Sequence, residues 1–210
     1  MPNCSIIVID NFYDDPDEIR KLALSLNYSK DPNKVYPGAE GIAIGYDWTE
    51  VMNRMRSYID EPCQTSSPLR NPPFPQGKFN LALASDENKR LSRVHVDLNR
   101  WAGVVYLSRP EDCCGGTSWY RHRASGAITD TQEWMEQIFS HCAGKTAEEY
   151  KKDVLKVSTD MSQWEEIQRV AMVYNRALIL MAHTFHATTC LFGTDINNGR
   201  LTQHFELYTK

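Results

Sequence analysis

The sequence predicts a mainly β fold with flanking helices, of the α+β class. Two blocks of short apolar runs separated by turn residues lie C-terminal to residue 78 and have the pattern of strands. Apolar residues at helical spacing precede the first block, and a second helical stretch, the insert at about 129–168, separates the two blocks. A chain of 210 residues can bury one sizeable core, so we expect a single domain over residues 1–210.

The first quarter of the chain is predicted to be a strand followed by helices. Residues 5–9 form an apolar run without the basic segment that begins a signal peptide, which favours a strand. Asp15 offers an N-cap, Pro16 suits the first helical position and Glu18 lies in the first turn, so one helix should begin there. A second helix is predicted from Asp47, and a proline-rich connector follows over residues 61–77.

The later elements alternate with turn signals. The predicted strands are 79–84, 92–98, 102–108, 171–181 and 201–208. Within the insert, Thr146 and Glu149 form a capping box, and Trp134 and Trp164 are expected to anchor a core. Three roles stay open for the insert: a lid over a cavity, outer packing, or a dimer interface.

Composition narrows the function classes. The formal net charge of −4 gives no electrostatic support to general nucleic-acid binding, and the apolar run 177–182 is far too short to span a bilayer. We therefore expect a cytoplasmic protein with no nucleic-acid or membrane partner, and possible homodimerisation. The six cysteines form no C-x-x-C pair, which favours reduced thiols over a disulfide framework or a zinc site.

One short motif points to metal chemistry. His95 and Asp97 are two residues apart, so on an extended strand they share a face. If His186 reached the same point from a distant strand, the three would leave half of an octahedral iron(II) open. The plainer alternative is a half-exposed pair, His95 and Asp97, hydrogen-bonded to each other. His183 is a rival to His186, but in an extended strand the two face opposite sides, so at most one joins.

Five motifs in sequence order, with the opening run 8–12, carry a resemblance to a known family. They are His95-Val96-Asp97, the strand 101–108, Gly115-Gly116-Thr117, the run from Tyr174-Asn175-Arg176 to Phe185-His186, and Gly199-Arg200-Leu201-Thr202. The chain resembles the iron(II)/2-oxoglutarate-dependent oxygenases, particularly the prolyl-4-hydroxylase-like branch, over residues 5–30 and 78–208. The resemblance implies a double-stranded β-helix, a cupin-like jelly-roll core with N-terminal helices and a helical insert.

The resemblance also implies the cofactors and their ligands. His95, Asp97 and His186 match the family's metal triad for Fe(II), and no catalytic residue is implied beyond them. Arg200 matches the residue that pairs with the distal carboxylate of 2-oxoglutarate. The remaining cofactor candidates, all polar, are Thr202, Asn80 and Tyr106. With O2 as co-substrate, 2-oxoglutarate would be decarboxylated to succinate.

The substrate is less well defined by the sequence. His204 shares the strand parity of Arg200 and Thr202 and is a further candidate for the cavity wall. Trp119, Arg121 and Arg123 could hold an anionic substrate, although such a run is also typical of a solvated strand end.

We expect hydroxylation of a small molecule such as an amino acid or a natural-product intermediate. Two other classes stay open. One is a cupin-type metal enzyme independent of 2-oxoglutarate, and the other is a non-catalytic binding module on the same fold.

Overall fold

A computed structural model describes residues 6–30, 36–68, 70–132, 134–135 and 146–209 of the chain. The described helices are α1 (Pro16–Leu24), α2 (Thr49–Arg56) and α3 (Ala147–Thr159). The described strands are β1 (Ile6–Ile9), β2 (Ala39–Gly41), β3 (Cys63–Gln64), β4 (Lys78–Ala82), β5 (Trp101–Tyr106), β6 (Gly116–His122), β7 (Trp164–Ala171), β8 (Ala177–Met181), β9 (His186–Thr188) and β10 (Arg200–Thr209).

Two antiparallel sheets form the core. The larger sheet has the order β1-β8-β5-β10-β4-β2, with β3 paired to β10, and the smaller has the order β7-β6-β9. Helices α1 and α2 pack on the outer face of the larger sheet, and α3 lies beside a separate apolar cluster on the smaller sheet. This arrangement confirms the predicted fold class, a jelly-roll core with N-terminal helices.

Alternation along β10 creates a polar wall inside the core. Leu201, Phe205 and Leu207 face outward into the cluster that contains α1 and α2. The intervening residues Arg200 and Thr202 therefore face the smaller sheet. Polar side chains on a face that is covered by a second sheet indicate a cavity between the sheets rather than a closed apolar core.

Two of the three predicted helix caps are present, whereas α2 begins after Trp48, which makes no side-chain cap bond, and not after the predicted Asp47. The side chain of Asp15 accepts a hydrogen bond from the Glu18 amide at 3.0 Å, and Pro16 begins α1. Thr146 and Glu149 form the reciprocal capping box of α3. Both devices depend on neighbouring residues alone, so the sequence specifies them locally.

The helical insert ends earlier than predicted. Trp164 and Ile167 belong to β7, which pairs with β6, and not to a helix ending near residue 168. Their spacing of three fits a helical stripe, but pairing along β6 supplies a ladder of hydrogen bonds that overrides it. The predicted strand 171–181 is accordingly two strands, β7 and β8, joined by a turn. Residues 136–145 lie outside the described part, so the lid prediction is only partly covered.

Two further expectations differ from the structure. Residues 92–98 form no continuous strand; a single bridge pairs His95 with His186, and the Asp97 amide bonds the Ala182 carbonyl oxygen at 2.9 Å. Cys114 and Cys190, expected as free thiols, form a disulfide with Cα atoms 5.9 Å apart. Sequence spacing gave no sign of it because the two cysteines are 76 positions apart and meet only through the fold. Among the described residues, no helix has the length and apolarity needed to cross a membrane.

Candidate metal centre

The predicted triad converges at one point. One ligand atom from each of His95, Asp97 and His186 lies within 4.8 Å of the others. The His186 Nε2 atom is 3.4 Å from one Asp97 carboxylate oxygen, and the His95 Nε2 atom is 3.7 Å from the other. The bridge between His95 and His186 brings the two imidazoles together, with ring centroids 4.4 Å apart. His183 is exposed and lies 3.7 Å from Asp130, so it takes no part in this cluster.

Backbone carbonyls fix the orientation of both imidazoles. The His95 Nδ1 atom lies 2.8 Å from the Arg93 carbonyl oxygen, and the His186 Nδ1 atom lies 2.8 Å from that of Thr184. Because a carbonyl oxygen only accepts, each Nδ1 carries a proton, and the Nε2 atom of each ring faces Asp97 and can bind a metal once it is unprotonated. Such outer hydrogen bonds commonly hold metal-ligating histidines in a single tautomer.

Electrostatics favour a neutral His95 and an ionised Asp97, the states that metal ligands need, but favour a proton on His186 that a metal would displace. Burial and the nearby His186 lower the pKa of His95 to about 4, which keeps its ring neutral. Burial works to raise the pKa of Asp97, but its hydrogen bond and charge interactions with His186 outweigh burial and lower it. Asp97 is therefore an anion between two histidines. Burial acts against protonation of His186, yet the Asp97 carboxylate raises its pKa.

The end of α3 positions the segment that carries His95. The hydroxyl of Ser158 accepts a hydrogen bond from the Arg93 amide at 2.9 Å, and its carbonyl oxygen accepts one from the Val94 amide at 3.2 Å. The hydroxyls of Ser92 and Ser158 are also 2.9 Å apart. These bonds replace the strand partners that residues 92–94 lack. The described C-terminal part of the insert thus serves as packing behind the triad.

Arg200 lies deep in the cavity between the sheets. Its guanidinium Cζ is 5.4 Å from the centroid of the Tyr106 ring, and one terminal nitrogen is 2.8 Å from the Met172 sulfur. The other terminal nitrogen makes a long contact of 3.4 Å with the Gly116 carbonyl oxygen. A Cβ on Gly116 would overlap the carbonyl oxygen of Val170, which explains the glycine at this close approach.

Arg200 has no carboxylate within ion-pair distance among the residues that the structure describes. Its side chain is buried, and burial lowers its pKa. A buried cation without an anionic partner is costly for a folded protein, so this position is suited to an anionic ligand.

The other cofactor candidates surround the same space. Thr202 and Asn80 line the cavity, and the Tyr106 hydroxyl is buried 2.8 Å from that of Thr117 on the opposite sheet. His204 also lines the cavity, with its Nε2 atom 2.8 Å from the Thr202 hydroxyl. The structure therefore brings together all four residues that the resemblance suggested for 2-oxoglutarate.

The three substrate candidates on β6 do not line this cavity. Trp119 is fully buried in the apolar cluster between the sheets, and Arg121 is exposed and pairs with Glu165 at 3.3 Å. Arg123 donates a hydrogen bond to the Trp164 carbonyl oxygen. After Trp119 the side chains alternate, with Tyr120 and His122 buried in the separate apolar cluster on the smaller sheet or beside it and Arg121 and Arg123 exposed. The solvated strand end, the alternative for this run, is what the structure has at Arg121.

Most residues at the mouth of the cavity could not be predicted from the sequence. The cavity has a volume of about 360 Å³, and residues distant in sequence line its entrance. Lys78 pairs with Glu40 at 2.6 Å, and Arg70 pairs with Glu206 at 3.2 Å. The Tyr36 ring contacts that of His95 at a tilt of 57°, with ring centroids 4.6 Å apart. Only Glu206 was accessible to prediction, because it continues the inward parity of Arg200 along β10.

Comparison with known proteins gives one family and several similar folds. Residues 2–206 match the model of a family described as a family of unknown function, DUF6445. No curated protein sequence matches the chain.

Among solved structures, HygX from Streptomyces hygroscopicus with nickel and 2-oxoglutarate bound is 12% identical over 99% of this chain and 84% of that chain, with a TM-score of 0.54. The same protein with nickel, 2-oxoglutarate and hygromycin B bound gives a TM-score of 0.50, again at 12% identity and with the same shares of the two chains. A Pseudomonas putida prolyl-4-hydroxylase is 11% identical over 99% of this chain and 94% of that chain, and its TM-score of 0.42 is too low to establish a shared fold.

The similarity to HygX establishes the fold. This chain shares the fold of HygX, the jelly-roll core that the resemblance implied, and its His-Asp-His cluster lies inside that core. Identity as low as 12% does not transfer chemistry, because one fold hosts many functions. The chemistry must be argued from the residues of this chain.

Proposed function

The chain belongs to DUF6445, a family of unknown function, and we propose that it is a non-haem iron(II)/2-oxoglutarate-dependent oxygenase that oxidises a small molecule. Hydroxylation of an amino acid or a natural-product intermediate is the reaction we favour. The observation that carries the proposal is the convergence of His95, Asp97 and His186, with both imidazoles held in the Nε2-accepting tautomer.

The donor set suits iron(II). Two neutral imidazole nitrogens and one carboxylate oxygen form the facial set that non-haem iron oxygenases use, with positions left for other ligands. His95, Asp97 and His186 would hold the ion in the wall of the cavity. When bound, iron(II) with 2-oxoglutarate would supply oxygen activation coupled to decarboxylation of the 2-oxo acid.

The residues of β10 and β5 suit the distal carboxylate of 2-oxoglutarate. The buried guanidinium of Arg200 lies beneath the triad and has no carboxylate partner in the described part of the chain. A planar guanidinium binds a carboxylate through two parallel hydrogen bonds. Tyr106 would support it, since its ring lies against the guanidinium. HygX was crystallised with nickel and 2-oxoglutarate, which supports the same pair of cofactors here.

The mouth of the cavity suits a small polar substrate. It presents both charge signs through Lys78 with Glu40 and Arg70 with Glu206. The Phe74 ring lies between the two cations, 4.7 Å from the Lys78 nitrogen and 5.1 Å from the Arg70 guanidinium. Aromatic and charged groups in one opening can bind a molecule with apolar and ionic parts. HygX binds hygromycin B, a small molecule, on the same fold.

Anaerobic titration of iron(II) and 2-oxoglutarate into the apo-protein tests the proposal. We expect a weak visible charge-transfer band from the chelated 2-oxo acid, with the band absent in His186→Ala. His183→Ala is the matched control, since that histidine lies outside the cluster, and it should keep the band. Iron binding without the band would instead indicate a 2-oxoglutarate-independent metal enzyme. Absence of iron binding would indicate a binding module.

A further inference from the structure

A second arginine, Arg90, is buried in the wall of the same cavity. Its side chain is only 4% exposed, and it lines the cavity together with Arg200. One terminal nitrogen donates a hydrogen bond to the Thr188 carbonyl oxygen at 2.8 Å. The Nε atom is buried and has no hydrogen-bond partner among the described residues. Buried guanidinium nitrogens are normally satisfied, so an open donor at a cavity wall indicates a missing acceptor.

The local charge around Arg90 is not balanced. Its second terminal nitrogen lies 2.8 Å from a carboxylate oxygen of Glu87, without the alignment of a hydrogen bond. The other oxygen of Glu87 is taken by Arg93 at 2.5 Å. Two guanidinium groups therefore share one carboxylate. The surplus positive charge would favour an anion in the cavity.

Arg90 follows the short helical turn after β4, is held by Thr188 of the smaller sheet, and lines the same cavity as Arg200 of the larger sheet. Thr188, which holds Arg90, pairs with Thr117 across β9 and β6. The Thr117 hydroxyl contacts that of Tyr106 at 2.8 Å, and the Tyr106 ring lies against Arg200. The two arginines are close enough that the charge of Arg200, added to burial, lowers the pKa of Arg90. Both cations therefore reach the same part of the cavity. Thr188, which binds Arg90, lies two residues after the ligand His186 on β9.

We propose that Arg90 is a second binding residue for the distal carboxylate of 2-oxoglutarate, which is held between Arg90 and Arg200. The inference rests on the function proposed above. A carboxylate has two oxygens and about four acceptor positions, so one can bind guanidinium groups from two sides. The bound anion would supply the acceptor that the Arg90 Nε atom lacks and would offset the repulsion between the two arginines.

Calorimetric titration of the nickel(II)-loaded protein with two ligands tests this role. One ligand is 2-oxoglutarate, and the other is 2-oxopentanoate, which keeps the metal-binding end but has a methyl group in place of the distal carboxylate. Arg90→Gln removes the charge, and Arg90→Lys keeps it without the planar fork. Arg121→Gln is the matched control, because it removes an arginine that is 47% exposed, pairs with Glu165 and does not line the cavity.

We expect Arg90→Gln to raise the dissociation constant of 2-oxoglutarate by about 10- to 100-fold, as for loss of a charge-assisted hydrogen bond. Its affinity for 2-oxopentanoate should change by less than about twofold. Arg90→Lys should have a smaller effect, and Arg121→Gln should bind both ligands like the wild type. A purely structural role for Arg90 would weaken both ligands equally.

Unchanged 2-oxoglutarate affinity in a folded Arg90→Gln protein would overturn the role of Arg90 but leave the proposed function standing. Should Arg90→Gln not fold, Arg90→Lys carries the test: wild-type affinity for 2-oxoglutarate, or equal weakening of both ligands, would overturn the inference. Failure of the wild type to bind 2-oxoglutarate with metal present would overturn the proposed function and this inference together.

Discussion

Replacement of Arg200 by methionine should stabilise the apo-protein while weakening its binding of 2-oxoglutarate. The guanidinium is 4% exposed, and its contacts are a sulfur atom, one long contact to a carbonyl oxygen and an aromatic face. None of these neutralises the charge. Methionine has a similar length, no charge, and suits the site beside Met172.

We expect Arg200→Met to change the free energy of unfolding and the free energy of 2-oxoglutarate binding in opposite directions. Burial of a cation costs several kcal/mol, and the contact with Tyr106 returns about 2 kcal/mol. We therefore expect Arg200→Met to leave the free energy of unfolding unchanged or to raise it by up to about 3 kcal/mol. Loss of a two-pronged carboxylate contact should cost about 3 kcal/mol of binding, or more than about 100-fold in the dissociation constant of 2-oxoglutarate.

Thermal unfolding of the metal-free protein and calorimetric titration with nickel(II) present measure the two effects. Each kcal/mol corresponds to about 2–4 °C for a chain of this size. Arg121→Leu is the control, because its partner Glu165 and the arginine itself are each 47% exposed and the pair should contribute little. A marked fall in the melting temperature of Arg200→Met, with 2-oxoglutarate affinity intact, would refute the reasoning and make Arg200 a structural residue.

Three further predictions concern other parts of the molecule. Nickel(II) at about 100 times its dissociation constant should raise the free energy of unfolding of the wild type by about 2.7 kcal/mol. Asp97→Ala should remain folded, and nickel(II) should not raise its melting temperature. Replacement of Cys114 and Cys190 by serine should lower the free energy of denaturant unfolding by about 4 kcal/mol, because the disulfide closes a loop of 76 positions; equal stability would contradict this.

The carboxylate of Asp86 accepts a hydrogen bond from the Lys30 amine at 2.7 Å. Burial works to raise the pKa of the Asp86 carboxyl, but the interactions of the carboxylate, first among them the hydrogen bond from Lys30, outweigh burial and lower it. Asp86→Asn should therefore be less stable than the wild type at pH 7, and the difference should shrink as the pH falls below about 4 in pH-dependent unfolding.

Local patterns accounted for much of the fold. The N-cap Asp15, the Thr146 capping box and the alternation along β10 each depend on residues close in sequence, and each was predicted. The stretch around Trp164 was mispredicted because a spacing of three fits both a helical stripe and a strand with a long-range partner. Its partner strand β6 lies more than 40 residues earlier, so only the folded sheet decides between them.

The amino-acid sequence by itself determined which metal-binding and carboxylate-binding side chains are candidates for one site. Strand parity put Arg200 and Thr202 on one face, and the motif order selected His186 over His183. Only the tertiary structure decided which distant groups meet them. Arg90 and the disulfide partner Cys190 act through contacts across the jelly-roll, where their positions depend on sheet pairing and packing. Short-range spacing specifies local geometry, whereas a cavity exists only after both sheets have closed around it.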